Sequence, residues 1–473
     1  MFNWNRGNGA GSSSEPNADA SQAVAAESSG GGTDRVAQSE PLRNRLETGG
    51  SSPNGAVSQS DYENGADGVK GLVQQRKQMV ERIGHLRPET DAYATEFVDQ
   101  LLAFAGAVKT SDVHLQPTAR GLEVKFRVDG VLQLLGEFPV GASSSIVSRL
   151  KVLSSLLTYQ SDVPQEGRIE SPAAGTEIRV STYPTLHGER AVLRFFGHGH
   201  QFQTIEELGH TDEIQSQLKD CLAETSGAIL ICGPAGSGKS TTLYASLRHL
   251  VEESNGARNL MTLEDPIEVP LRGVSQSQVN NGAGFDLNVG LKSLLRQDPE
   301  VIMVGEIRDP ETASTAIQAS LTGQLMLTSF HADSAVVAIS RLLDLGIEPY
   351  LLKSGVIGIC CQRLLRRLCD CAAETQDGSE FCGLPIDWCK KAAGCDACNG
   401  SGYRGRVIAS EFLSLRESQI ADQMLTLQDS RSAYRIAVEN GMKSLWERAT
   451  ELVREGITSP QEVRRVLGAT MRI

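Results

Sequence analysis

The chain has 473 residues, room for two or three domains that each bury a core of their own. Its net charge of −13 excludes a global basic footprint, so nucleic acid is not expected as a partner. No apolar run approaches the roughly 18 residues of a membrane span, and Met1 to Arg6 lacks a signal-peptide core; a cytoplasmic protein is expected, its ten cysteines serving as reduced thiols or metal ligands.

Residues 1–68 are dominated by Gly, Ser, Ala, Asn and Glu and cannot bury enough apolar surface to offset ordering entropy, which predicts a disordered tail. Phe2 and Trp4 are its candidate docking residues. A polar helix is expected over Val69 to Ile83, within a linker at 69–89. From 90 to 200 the pattern is mixed. Phe97, Leu101, Leu102 and Ala105 share a helical face, and alternating runs follow at Val113 and Leu115, at Leu122 to Val128, and at Val131 and Leu132. Asp129-Gly130 between the last two runs predicts a hairpin turn, and the segment reads as a small α+β domain.

Over 201–473, apolar runs at Ala228 to Cys232, Asn259 to Leu263, Val301 to Val304 and Leu325 to Phe330 alternate with helical stretches. That alternation predicts an α/β domain, a parallel sheet with helices on both faces and its ligand at the carboxyl ends of the strands. The first run leads into Gly233, Pro234, Ala235, Gly236, Ser237, Gly238, Lys239 and Ser240, and Thr241 starts a helix-compatible stretch to Leu250. Glycines let such a loop aim several backbone N–H groups at one anion, and the following helix adds its positive end. Lys239 then reaches the β- and γ-phosphates while the Ser240 hydroxyl ligates Mg²⁺, so ATP and Mg²⁺ are the expected ligands.

Hydrolysis needs an oriented water and cationic groups as well. Glu264 ends one strand and is the candidate for polarising the water. In Val301 to Glu306, Gly305 stands where many ATPases carry the metal-linked Asp, which leaves Glu306 for the metal shell or the water. His331 follows a third strand and is placed to sense the γ-phosphate as a donor. Lys239 is the one cation of the loop segment, so arginines must come from elsewhere.

The segments TLEDPIE (262–268) and LLRQDPEVIMVGEIRDPETASTAIQASLTGQLMLTSFHADSA (294–335) closely resemble the secretion-type traffic ATPases, the hexameric motors of type II secretion and type IV pilus assembly. That family carries an "Asp box", a Gly-Glu Walker B strand and a "His box" in this order, matched by Glu264 and Asp265, by Gly305 and Glu306, and by His331. The resemblance implies a RecA-like P-loop motor domain over 201–473, preceded by a PAS-like domain over 90–200 that resembles the family in SDVHLQP, VKFRVDGVL, PQEGRIE and RVSTYPTLHGERAVLR. The family's arginines that reach the triphosphate correspond to Arg168, Arg179 and Arg194. GYRGRVIASEFL (402–413) and the segment 441–467 extend the likeness towards the C-terminus.

Assembly and secretion relatives hold one structural Zn²⁺ on two CxxC pairs, whereas retraction relatives generally lack that subdomain. Here, within a subdomain at about 365–405, the second pair is Cys395 and Cys398, and the first is the shortened Cys369-Asp370-Cys371. Cys382, Cys389 or the Cys360-Cys361 pair are alternative ligands. The family likeness implies a homohexamer at the cytoplasmic face of the inner membrane, resting on platform and docking proteins and powering pilus or pseudopilus assembly. Alternatives are a retraction or DNA-uptake ATPase and, in another class, a nucleotide-dependent binding switch.

Overall fold

The computed structural model of the chain describes residues 71–86, 90, 92–139, 141, 143–171, 176–196, 202–416, 422–423 and 429–468. The low-complexity tail with Phe2 and Trp4, and Val69 at the head of the expected linker helix, lie outside the described residues. Helix α1 spans Gly71–His85 and buries Met79 and Ile83. Helix α2 (Tyr93–Ala107) buries Phe97, Leu101 and Ala105, one residue per turn, with Leu102 half-buried beside them.

Strands β1 (Asp112–Pro117), β2 (Leu122–Val128), β3 (Val131–Phe138), β4 (Gln165–Ser171), β5 (Thr176–Thr185) and β6 (Gly188–Phe195), with helix α3 (Ser143–Leu153) between β3 and β4, build the first sheet. Its order is β3-β2-β1-β6-β5-β4, antiparallel at every step. Asp129 and Gly130 both have positive φ, at 49° and 79°, the conformation that a two-residue hairpin between β2 and β3 requires. Leu122, Val124 and Phe126 alternate into a core shared with Phe97, Ile146 and Leu150 of α2 and α3. Glu123, Lys125 and Arg127 consequently occupy the opposite face.

The second sheet holds β7 (Gly227–Cys232), β8 (Leu260–Glu264), β9 (Ser275–Gln278), β10 (Val301–Val304), β11 (Leu325–Phe330), β12 (Val356–Leu368) and β15 (Tyr403–Ser414). Its order is β15-β12-β7-β11-β10-β8-β9, and every neighbouring pair is parallel except β12 with β15. The expected α/β class is therefore observed. β7, β10 and β11 are buried at every residue, as strands covered on both faces must be.

Alternate residues feed two cores. Ile229, Ile231, Met303 and Leu327 pack with α4 (Asp212–Leu222) and α5 (Lys239–Glu253). Leu230, Ile302, Val304 and Met326 pack on the other side with α6 (Leu287–Leu294), α7 (Pro310–Leu321), α8 (Ala335–Asp344) and α9 (Pro349–Gly355).

A short hairpin of β13 (Ala373–Thr375) and β14 (Cys389–Lys391) lies between β12 and β15, and α10 (Ser430–Glu439), α11 (Leu445–Arg454) and α12 (Pro460–Leu467) follow. Glu411 on β15 is fully buried, and its carboxylate accepts from Ala335 N (2.7 Å), Leu445 N (3.0 Å) and the Tyr434 hydroxyl (3.0 Å). These donors fasten α8, α10 and α11 to the sheet and supply the hydrogen bonds that a buried carboxyl needs. Between the two sheets, Asp129 Oδ2 accepts from Gly405 N at 2.8 Å.

Candidate nucleotide site and cysteine centre

The fully buried strand β7 delivers the chain to Gly233 at the carboxyl edge of the sheet. Gly233 has φ 146°, and a Cβ there would lie 2.4 Å from Ser237 Oγ and 2.6 Å from Gln362 O, so no other residue fits. Pro234, Ala235 and Gly236 form the exposed crest of the loop. Gly238, with φ 90°, precedes α5 and no side chain caps that helix, which leaves its first N–H groups for an anion. The buried Ser237 hydroxyl has no partner among the described residues, a second feature that fits a polar ligand in the loop. Lys239 Nζ reaches back to Gly233 O (2.9 Å) and Pro234 O (3.0 Å); burial lowers its pKa, and the nearby Glu306 opposes that shift. Ser240 and Thr241 stand half-buried in the same first turn.

Gln362 of β12 buttresses the loop from below. Its Nε2 donates to Ser237 O at 3.0 Å, and its Oε1 accepts from Thr242 Oγ1 at 3.0 Å. Sequence reasoning missed it, although a Gln-Arg pair inside the apolar run Val356 to Leu365 is a visible signal.

Two strand ends supply acids, and a third, that of β11, supplies His331. Glu264, at the end of β8, is 3% exposed and enclosed by donors: Thr262 Oγ1 at 2.6 Å and Gln276 Nε2 at 3.0 Å on Oε1, and the Tyr244 hydroxyl on Oε2. Glu306, two residues past β10, is half-buried and stands between Arg308, whose Nε and Nη2 donate at 3.0 and 2.8 Å, and His331 Nε2 at 2.8 Å. Of the three residues expected at the strand ends, Glu306 and His331 meet, while Glu264 belongs to a separate buried network. A third acid, Glu268, takes the Ser240 hydroxyl on Oε1 at 3.3 Å. Desolvation in the cleft raises its pKa, against the pull of Ser240, Arg194 and Lys239.

The three arginines come into one row. Arg168 of β4 pairs across to Arg179 of β5, Arg179 to Arg194 of β6, and Arg194 to Asp112 of β1, which in turn faces Arg127 of β2. Directly paired residues share a face, so this is a cationic stripe across the face opposite α2 and α3. Arg168 is paired with Glu177 at 3.0 Å, Arg179 with Glu166 at 2.5 Å, and Arg194 with Asp112 at 3.0 Å. The charge of Arg194 also acts on Glu268, which meets the Ser240 hydroxyl.

The cysteines resolve an open choice. Cys369, Cys371, Cys395 and Cys398 converge with all four sulfurs within 4.8 Å of one another. Three of the separations are 3.8, 3.9 and 3.8 Å. A tetrahedron with Zn–S bonds of about 2.3 Å has edges of about 3.8 Å, so the donor set fits zinc despite the shortened first pair. Backbone N–H groups of Cys395 and Gly402 donate to Cys398 Sγ at 3.1 Å each, as suits a thiolate ligand. Cys360 and Cys361 instead lie in the core of β12, and Cys382 and Cys389 are outside the cluster.

A phosphate loop on the central part of a parallel sheet, with acids on the adjoining strand ends, defines a P-loop nucleotide-binding α/β protein. Residues 88–465 match the family described as Type II/IV secretion system protein, and the chain belongs to that family. Type II secretion system ATPase E of Vibrio cholerae is 38% identical over 390 residues, covering 80% of this chain and 76% of that protein. Type IV pilus assembly ATPase PilB of Thermus thermophilus is 35% identical over 399 residues, covering 82% of this chain and 44% of that protein. The X-ray structure of the Legionella pneumophila ATPase DotB matches with a TM-score of 0.58 at 21% identity, covering 78% of this chain and 95% of that one, which is a likeness of fold.

Proposed function

We propose that this chain is an ATP-hydrolysing motor that drives pseudopilus or pilus assembly in a type II secretion or type IV pilus system. The observation that carries the reading is the strand-end array: Lys239 and the uncapped start of α5 for the phosphates, Ser240 for Mg²⁺, and Glu306 held between Arg308 and His331. Phosphoryl transfer asks a protein mainly for charge and position, and bound Mg²⁺ neutralises the phosphate oxygens. Sequence reasoning gave the attacking water to Glu264. Its carboxylate already accepts from Tyr244, Thr262 and Gln276, which suits it to hold the chain after β8, and the half-open Glu306 suits the water.

The motor so proposed is a homohexamer with a 90–200 domain, a 201–473 motor domain and the cysteine subdomain. Its partners are platform and docking proteins at the cytoplasmic face of the inner membrane; among the described residues no helix is long and apolar enough to cross a membrane. The four-cysteine centre favours assembly over retraction or DNA uptake. Lys239→Ala should lose nucleotide binding and turnover together. Glu306→Gln should keep ATP affinity within about threefold and lose about 10²- to 10⁴-fold in phosphate release. Phosphate release near wild type in Glu306→Gln would refute its role, and a wild-type chain that binds ATP without releasing phosphate would be a binding switch.

A further inference from the structure

Gly305 leaves the metal side of the phosphate site without the strand-end carboxylate that P-loop proteins commonly use. No side chain can be offered from that position, and a Cβ there would look onto Glu264 Cα at 3.4 Å and Leu263 O at 3.5 Å. Of the nearby acids, Glu264 is closed off by its three donors and Glu306, beside Arg308 and His331, is the one assigned above to the water. Glu268 is different. Its Oε1 meets the Ser240 hydroxyl at 3.3 Å, and its backbone N–H donates to the Tyr244 hydroxyl at 3.2 Å. Tyr244 lies one turn beyond Ser240 on α5, so the face that presents Ser240 also anchors the backbone of Glu268.

We propose that Glu268 is the positioning carboxylate of the Mg²⁺–nucleotide site, orienting the Ser240 hydroxyl from the loop after β8 in place of the acid absent at Gly305. The proposal rests on the nucleotide reading above. It explains why an acid stands beside the anion-binding loop, where by itself it repels a triphosphate: the repulsion becomes attraction when the dication is bound. Tyr244 then links two carboxylates with distinct tasks, giving a hydrogen bond to Glu264 and receiving one from the Glu268 backbone.

The test is equilibrium binding of a slowly hydrolysed ATP analogue to the full chain, with Mg²⁺ and with EDTA, for wild type, Glu268→Gln, Glu268→Asp, Ser240→Ala and the Glu268→Gln/Ser240→Ala pair. The Mg²⁺ enhancement of affinity should fall by about tenfold or more in Glu268→Gln, the scale of one charge-assisted hydrogen bond, and recover in part in Glu268→Asp. In the Ser240→Ala background the same change should have little further effect, because the two groups act as one unit. Unchanged Mg²⁺ enhancement in Glu268→Gln, or equal weakening with Mg²⁺ and with EDTA, overturns the proposal while leaving the nucleotide reading intact. Failure of the wild type to bind the analogue in either buffer overturns both.

Discussion

Tyr244 holds the loop after β8 by one oxygen, donating to Glu264 and accepting from Glu268 N. Tyr244→Phe leaves a buried carboxylate with one donor fewer and a backbone N–H unpaired, a loss of about 1–3 kcal/mol. A lower thermal midpoint is expected, and an unchanged one would count against this network. His210 gives a pH signature. Burial pushes its pKa down to about 4, with Nδ1 2.7 Å from Ser410 Oγ. The unfolded chain takes up this proton near pH 6.5 and the folded chain only near 4, so stability is full above about 6.5 and falls as pH drops through that window. The loss reaches about 3 kcal/mol at the acid end, and His210→Gln should flatten the dependence of unfolding midpoint on pH between 6.5 and 4. Lys239, Ser240 and Glu306 were legible in the sequence because a motif and a strand end fix their place. Glu268, Gln362 and Tyr244 were not, because their importance lies in contacts between elements that no local pattern encodes.

Among the elements, β7 and β10 were readable as unbroken apolar runs, and β11 as a mostly apolar one interrupted by Thr328 and Ser329. The long pair β12 and β15 was not. Gln362, Arg363 and Arg366 interrupt β12, and each polar group is satisfied only in the fold: Gln362 by the phosphate loop, Arg363 by Asp333, Arg366 by the fully buried Glu462. The cysteine centre joins the end of β12 to the start of β15, where Cys369 N also donates to Gly402 O at 2.9 Å. If zinc fills it, the purified chain should carry about one zinc per molecule, and Cys395→Ser should lose the metal and the order of the segment between the two strands. Gln362 on β12 and the phosphate loop after β7 lie outside this cysteine cluster, so ATP binding should survive. Elemental analysis of protein prepared without chelators decides the matter, and absence of zinc would reject the assignment.

For the whole molecule, the cationic stripe poses the largest question. Arg168, Arg179 and Arg194 are each held by an acid of their own sheet, at 3.0, 2.5 and 3.0 Å, and the charge of Arg194 also acts on Glu268. An arginine that pairs with a carboxylate in one state and with a phosphate in another gives a two-state element that nucleotide can bias. Closure of the 90–200 segment over ATP would exchange those pairings and so convert binding into movement. Arg168→Ala and Arg179→Ala should then reduce turnover far more than nucleotide affinity. If the proposed homohexamer forms, the movement would pass to the next subunit and the coupling would be reciprocal, nucleotide favouring assembly and assembly favouring turnover. Specific activity should therefore rise with protein concentration in step with mass measured by light scattering, and a chain starting at Val69 should behave as the full one does. A monomer whose activity is complete and independent of concentration, with both arginine variants turning over at the wild-type rate, would leave hydrolysis standing but remove the motor.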